Sequence, residues 1–231
     1  FADAHRYIAD PERAPVPTDA LLAESYAAER RALIGEQAAS YGAGEPLRGG
    51  TVLLCTADGE GMMVSFIQSN YMGFGSGIVV PGTGIALQNR GAGFSLDPLH
   101  PNILAPGKRP FHTIIPAFLT REGKAVGPFG VMGGHMQPQG HVQMVLNTVD
   151  WGLNPQASLD APRWQVSEEQ EVLLEYGVPR HIVEGLLRRG HQVSVKAEGG
   201  HFGRGQIIWR LPNEALIGGS ESRADGLAMG Y

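Results

Sequence analysis

The chain is poor in several things, and each scarcity removes a class of function. One cysteine, Cys55, in 231 residues excludes an internal disulfide and a thiolate metal cage. Eight histidines are scattered without paired ligand spacing, so no metal site is expected. No apolar run approaches the ~20 residues that cross a bilayer, which predicts no membrane span. Lys and Arg (18) are outnumbered by Asp and Glu (23), for a net charge of −5, so the electrostatic footprint of a nucleic-acid binder is lacking. There is also no initiator Met and no signal peptide, and Phe1-Ala2-Asp3-Ala4-His5-Arg6 reads as the middle of an element. The expectation is therefore a piece of a larger precursor. It is placed in the cytoplasm, with the periplasm left open because a leader would lie upstream.

What is abundant is glycine, 33 residues and about twice average usage, which predicts many tight turns and close backbone approaches. Hydrophobic content of 42% with 18% charge is globular, and the length suits one substantial core.

Along the chain, residues 1–48 read as mostly helical, with a start at Pro17-Thr18-Asp19 and Thr18 or Asp19 as N-cap. Composition shifts sharply at Gly49-Gly50-Thr51. Thr51 to Thr56 and Met62 to Ser69 form an expected strand pair about the turn Asp58-Gly59-Glu60-Gly61, with Val64, Phe66 and Gln68 on one face. Residues 72–110 are too rich in Gly and Pro for regular structure and too apolar for disorder, so they are expected to be ordered loops lining a site. A second strand pair, Ile114 to Leu119 and Ala125 to Met132, turns at Arg121-Glu122-Gly123-Lys124. Val142, Val145, Leu146 and Val149 mark an amphipathic helix over 139–151. A further helix is expected from about Pro179, at its N1 position, to Arg189, and final strands at 193–196 and 206–211. Two antiparallel strand pairs followed by helices and strands make an α+β layer arrangement.

Thr51 opens a strand, where a β-branched residue is ordinary. It becomes a nucleophile only if the backbone is cut before it, because the freed α-amine then serves as general base for the hydroxyl. Spacing alone decides nothing between these readings. The motifs do more. Thr51-Val52-Leu53-Leu54-Cys55, Asp58-Gly59-Glu60-Gly61, Phe74-Gly75-Ser76-Gly77, Pro106-Gly107-Lys108-Arg109-Pro110, Gly133-Gly134, Asp160-Ala161-Pro162-Arg163, Gly190-His191 and Ser222-Arg223-Ala224-Asp225-Gly226 follow one another in one order. In that order they resemble the small subunit of gamma-glutamyltransferases, in the N-terminal-nucleophile hydrolase superfamily.

The resemblance implies a four-layer αββα sandwich of two stacked antiparallel sheets. Residues 1–50 would be the end of the large-subunit segment and 51–231 the small, catalytic subunit. It implies self-cleavage between Gly50 and Thr51, attack by Thr51 on an amide carbonyl, and release of the acyl group from Thr51 to water or an amine. Ser69 stands where the family has a threonine that orients the nucleophile, and Gly133 with Gly134 stand at the oxyanion-hole pair. Adjacent glycines between a strand and a helix suit that role by themselves. No cofactor is implied. The implied partners are a small amide substrate and the large subunit of the same precursor.

The substrate pocket departs from the family pattern. His112-Thr113 replaces the serine pair that binds the α-carboxylate. Tyr71 replaces an asparagine, Arg90 a glutamine, and Gly93 the aspartate that holds the α-amino group. An ammonium group needs acceptors that this site lacks, whereas Arg90 offers a planar fork suited to a carboxylate. A structural loop arginine and a core histidine are equally ordinary readings of Arg90 and His112. Three functions stay open. One is gamma-glutamyl transfer or hydrolysis. Another is an acylase of a carboxylate-bearing amide, such as a glutaryl side chain or oxamate. The third is a non-catalytic homologue that only binds.

Overall fold

The computed structural model describes residues 2–38, 51–167, 169–197 and 202–231, so Gly50 of the expected cleavage site lies outside the described residues. The amino-terminal part holds α1 (Ala2–Tyr7), α2 (Thr18–Leu22) and α3 (Glu24–Ala32), with residues 8–17 irregular. Helix α2 begins on Thr18 itself, flanked by Pro17, and neither expected cap is used. The Thr18 hydroxyl reaches back to the Val16 carbonyl instead (3.5 Å).

Strands β1 (Thr51–Ala57) and β2 (Met63–Ser69) form an antiparallel hairpin. Its turn is closed by Asp58, whose Oδ1 accepts from the Glu60 and Met62 amides at 3.0 and 2.8 Å. Period-2 alternation gives the hairpin two unlike faces. Thr51, Leu53 and Cys55 look inward with Ser65, Ile67 and Ser69, while Val52, Leu54, Val64 and Phe66 look outward and are exposed.

The inward face lies on a second antiparallel sheet of order β3-β4-β8-β9, made of Ala117–Arg121, Lys124–Met132, Arg204–Arg210 and Leu216–Ser220. Both central residues of its first turn, Glu122 and Gly123, have positive φ (52° and 75°), as a right-twisted two-residue hairpin requires. The two sheets touch closely. Leu53 packs over Gly130, where an added Cβ would sit 3.0 Å from the Leu53 Cδ2. The Ser65 hydroxyl donates to the Phe129 carbonyl (3.3 Å) and the Cys55 thiol to that of Gln206 (3.6 Å).

The other face of this sheet carries α4 (Gln137–Val149) and α5 (Pro155–Asp160). Between them lies the core of Phe129, Val131, Met136, Met144, Leu159, Leu173, Phe202, Ile207 and Trp209. Burial of each such side chain contributes about 1.5–3 kcal/mol. The described residues thus build helix, sheet and sheet in stacked layers, as the α+β reading expects.

Beside this sandwich, β5 (Trp164–Val166), β6 (Glu171–Glu175) and β7 (Gln192–Lys196) form a third sheet. Helix α6 (Arg180–Arg188) crosses over to make β6 and β7 parallel. Pro179 is the flanking residue of α6 rather than its first. Strands β5, β6 and β9 and helix α5 were not foreseen from the sequence. Val172, Leu173 and Leu174 are all buried, so β6 lacks the alternation that marks a half-buried strand. Strand β9 carries Gly218 and Gly219, and a Cβ on Gly219 would meet Pro155 and Gln156 backbone atoms at 2.8 Å. Close approach of α5 sets that choice, and pattern reading cannot see it. Residues 72–110 are ordered loops with one 3-10 turn at Arg90–Gly93, as expected. Among the described residues no helix is long and apolar enough to cross a membrane.

Leu53 is the buried side chain joining the two sheets, 8% exposed. Leu53→Ala should destabilise the protein by about 2–5 kcal/mol in urea or thermal unfolding. A loss below about 1 kcal/mol would mean that the sheets are not held together there.

Candidate active site

The β1–β2 register sets Thr51 directly opposite Ser69 at the open end of the hairpin. Directly opposed side chains in an antiparallel pair are close neighbours, and here the two hydroxyls bond at 2.8 Å. The Tyr71 amide donates to the same Ser69 Oγ, also at 2.8 Å. Contacts of Ser65 with Phe129 and of Leu53 with Gly130 orient the hairpin on β4. Following them toward Thr51 leads along β4 to Met132 and its exit. Gly133 (φ 156°, ψ 26°) and Gly134 (φ 63°) form that exit, a strand-to-helix connection ahead of α4. Helix N-termini and adjacent glycine amides favour developing negative charge.

The glycine turn is braced from behind. A Cβ on Gly133 would lie 3.1 Å from the Gly203 Cα, and one on Gly203 (φ 71°) would lie 2.5 Å from the Met132 carbonyl. The Phe202 and Gly203 carbonyls accept from the Arg163 guanidinium at 2.9 and 3.0 Å. Arg163 is 1% exposed and pairs with Glu221 at 2.5 Å. Arg223 bridges Glu221 and Glu175 and donates to the Leu159 and Ala161 carbonyls. Burial, the largest single influence, would raise the Glu175 carboxyl, but the bonds and charges of Arg223 and Arg163 together outweigh it and keep the group below its ordinary value. Two cations and two anions compensate one another here, and removing one member of such a buried cluster costs about 3–5 kcal/mol. Arg163 and Arg223 lie inside motifs already noted in the sequence, yet their task was not legible. Nothing in the local pattern pairs residue 163 with residue 221.

The expected pocket residues also come together. The Arg90 Nη1 donates to the Thr113 hydroxyl (3.0 Å), and its guanidinium lies 5.0 Å from the centre of the Tyr71 ring. Arg90 is 4% exposed and Thr113 6%. Burial, then the nearby Arg90 charge, hold the His112 imidazole below its ordinary value, so it is neutral where it accepts from the Ile114 amide. Among the described residues no carboxylate forms an ion pair with Arg90. Burial lowers the Arg90 value, and only the Tyr71 ring opposes this. Among the described residues this desolvated cation therefore has neutral direct partners, Thr113 and Tyr71. Gly93 itself supplies no side chain, and its carbonyl accepts from the Asn102 side-chain amide (2.7 Å).

The loop carrying this pocket is tied to the amino-terminal segment. Asp10, 4% exposed, accepts from the Arg109 guanidinium (2.7 Å) and backbone amide (3.1 Å). His5 stacks with Phe111 and with His135, next to Gly134, at centroid distances of 5.8 and 5.4 Å. Neither tie was anticipated, since both join residues about a hundred or more positions apart. Cys55 is no competing nucleophile, because burial pushes its thiol up to about 12. An apolar cavity of about 560 Å³ under α6, lined by Trp164, Val172, Leu174, Ile182 and Leu186 among others, carries no hydroxyl nucleophile and no carboxylate. Among the described residues no group of three or more His, Cys, Asp or Glu is placed to hold a metal.

Known proteins resemble the chain along its whole length. Residues 1–231 match the family model for gamma-glutamyltranspeptidase. The chain is 38% identical to the oxamate amidohydrolase proenzyme of Klebsiella pneumoniae over 237 residues, which cover all of this chain and 45% of that protein. It is 35% identical to a glutathione hydrolase-like proenzyme of Bacillus subtilis, again over all of the chain and 45% of the relative. The crystal structure of a cephalosporin acylase from Bacillus halodurans superposes with a TM-score of 0.92 at 56% identity, covering 100% of this chain and 43% of that one. The chain thus spans a little under half the length of these relatives.

The Arg109 bonds hold the Asp10 carboxyl down at about 2, below its ordinary 3.8. A value depressed by folding gives stability that is complete above about pH 4 and fades as pH falls toward 2. Limited proteolysis should therefore find residues 97–110 protected above pH 4 and increasingly cut below it. Asp10→Asn should expose the loop at every pH. Equal protection of the variant and the parent at pH 7 would contradict the clamp.

Proposed function

Because the chain belongs to the gamma-glutamyltranspeptidase family, we propose that residues 51–231 are the catalytic subunit of an N-terminal-nucleophile amidohydrolase. Residues 1–50 are the tail of its large subunit, and the rest of that subunit covers the exposed outer face of β1 and β2. In the precursor the Thr51 hydroxyl attacks the Gly50 carbonyl and displaces the Thr51 nitrogen. Water then hydrolyses the resulting ester and leaves Thr51 with a free α-amine. That amine, with a pKa of about 7.7–8.0, takes the hydroxyl proton when Thr51 attacks an amide substrate. Ser69 holds the Thr51 oxygen in line through their 2.8 Å bond. The Gly133 and Gly134 amides receive the negative charge that develops on the carbonyl oxygen, each such donor contributing about 3 kcal/mol in the transition state. The proton passes to the leaving amine, and water or a second amine releases the acyl group from Thr51.

The acyl half carries a carboxylate and no α-ammonium. One observation supports this above all others: Arg90 is a buried cation whose direct partners are the Thr113 hydroxyl and the Tyr71 ring. Desolvating a guanidinium without an anion is unfavourable, and a substrate carboxylate supplies the missing charge. An ammonium beside Arg90 would be repelled, with Gly93 offering no counter-charge. The name of one relative agrees, since oxamate is an amide bearing a carboxylate and no ammonium, whereas that of the glutathione hydrolase-like relative favours the gamma-glutamyl reading.

Glutaryl and gamma-glutamyl p-nitroanilides differ only by the α-ammonium and make the discriminating pair, with oxamate as a third donor. On the full-length precursor, glutaryl or oxamate turnover should exceed gamma-glutamyl turnover at least tenfold in kcat/KM. Arg90→Met should lower kcat/KM for the carboxylate donors by about 10–100-fold, the loss of one charge-assisted hydrogen bond. Ser69→Ala should lower kcat on every donor. Preference for the gamma-glutamyl compound, or an Arg90→Met enzyme as active as the parent, would overturn the substrate assignment.

A further inference from the structure

Tyr71 stands between the pocket and the nucleophile. It is a non-glycine residue at φ 76°, a left-handed conformation that a bulky side chain seldom adopts without being held there. The neighbouring Asn89 holds it from both sides. The Asn89 amide donates to the Asn70 carbonyl (3.1 Å), and its side-chain Oδ1 accepts from the Met72 amide (2.9 Å). The Asn89 Nδ2 donates to the Met72 and Gly75 carbonyls at 3.3 and 3.1 Å. The next residue is Arg90, whose guanidinium covers the Tyr71 ring. Asn89 therefore fixes the backbone of Tyr71, and Arg90 fixes its ring.

That conformation aims the Tyr71 amide at the Ser69 Oγ. A serine hydroxyl has one donor and two acceptor sites. An amide donating into its oxygen polarises the O–H and makes it a better donor in turn. The Thr51 hydroxyl donates to the same oxygen (2.8 Å), so the Tyr71 amide fixes the atom against which Thr51 is oriented.

We propose that Tyr71 is a positioning residue, clamped by Asn89, that couples occupancy of the Arg90 seat to the alignment of Thr51. This rests on the carboxylate reading above. A carboxylate on Arg90 draws the guanidinium into a fixed place, which secures the ring, the strained backbone and the amide aimed at Ser69. A donor without a carboxylate leaves Arg90 and the ring less constrained, and Thr51 is then less often in line. The recognition group thus raises kcat as well as binding.

The test uses the mature enzyme from the full-length precursor, with a glutaryl donor and a neutral butyryl donor of similar length. Tyr71→Gly accepts the same backbone angle but lacks the ring. It should lower kcat for glutaryl about 10-fold or more and kcat for butyryl by a clearly smaller factor. Tyr71→Phe should recover most of that loss. In the Arg90→Met background Tyr71→Gly should cost little further on glutaryl, because the two residues act as one unit. Asn89→Ala should reproduce the Tyr71→Gly pattern; should that variant fail to fold, Tyr71→Leu at unchanged Tm stands in for it. Equal losses on both donors, or losses that add independently to Arg90→Met, would overturn the coupling and leave Tyr71 a purely structural residue. Failure of the carboxylate reading is seen separately, as an Arg90→Met enzyme that handles glutaryl and butyryl as the parent does.

Discussion

The site depends on the pairing register of one hairpin. Thr51 and Ser69 are partners at its open end, and a slip of one strand by one residue would put the two hydroxyls on opposite faces. Register is held by the inward row of Leu53, Cys55, Ser65 and Ile67 pressing on β4 and β8, with Gly130 leaving room for Leu53. The same contacts keep the hydroxyl pair on the inward face of the hairpin. Packing thus sets the hydroxyl pair proposed to hold the nucleophile at one end of the hairpin, before any chemistry is considered.

Charge is distributed in two contrasting ways around that end. Behind the glycine turn, Arg163 and Arg223 are buried against Glu175 and Glu221, and every cation has its anion. Such a cluster fixes the Phe202–Gly203 carbonyls and, through Gly203, the position of Gly133. In the candidate pocket Arg90 is also buried, and among the described residues it meets a hydroxyl and a ring. Arg163 and Arg223 are neutralised by carboxylates, whereas among the described residues none pairs with Arg90. That contrast, within one chain, supports the proposal that Arg90 receives an anionic group.

Much of this arrangement could be read from the sequence. The hairpin, its alternation, the β3–β4 turn and the α4 helix follow from local patterns, and of the residues singled out by the resemblance Thr51 meets Ser69, and Arg90 meets Tyr71 and Thr113. Partners distant in sequence were not legible. Arg163 with Glu221, Asp10 with Arg109, and His5 with Phe111 and His135 are set by how layers and loops meet, and a side chain's neighbours across 58 to 130 positions leave no local trace. Strand β6 was missed for a related reason, since burial on both faces erases the alternation that announces a strand.

The account stands or falls on a covalent bond to Thr51. The most direct measurement is intact and peptide mass spectrometry of the matured full-length protein, quenched during turnover of a glutaryl donor. A polypeptide beginning at Thr51 and heavier by one glutaryl group, with the added mass on the Thr51 peptide, is the predicted result. An uncut Gly50–Thr51 bond, or an acyl group found on any other residue, would contradict it.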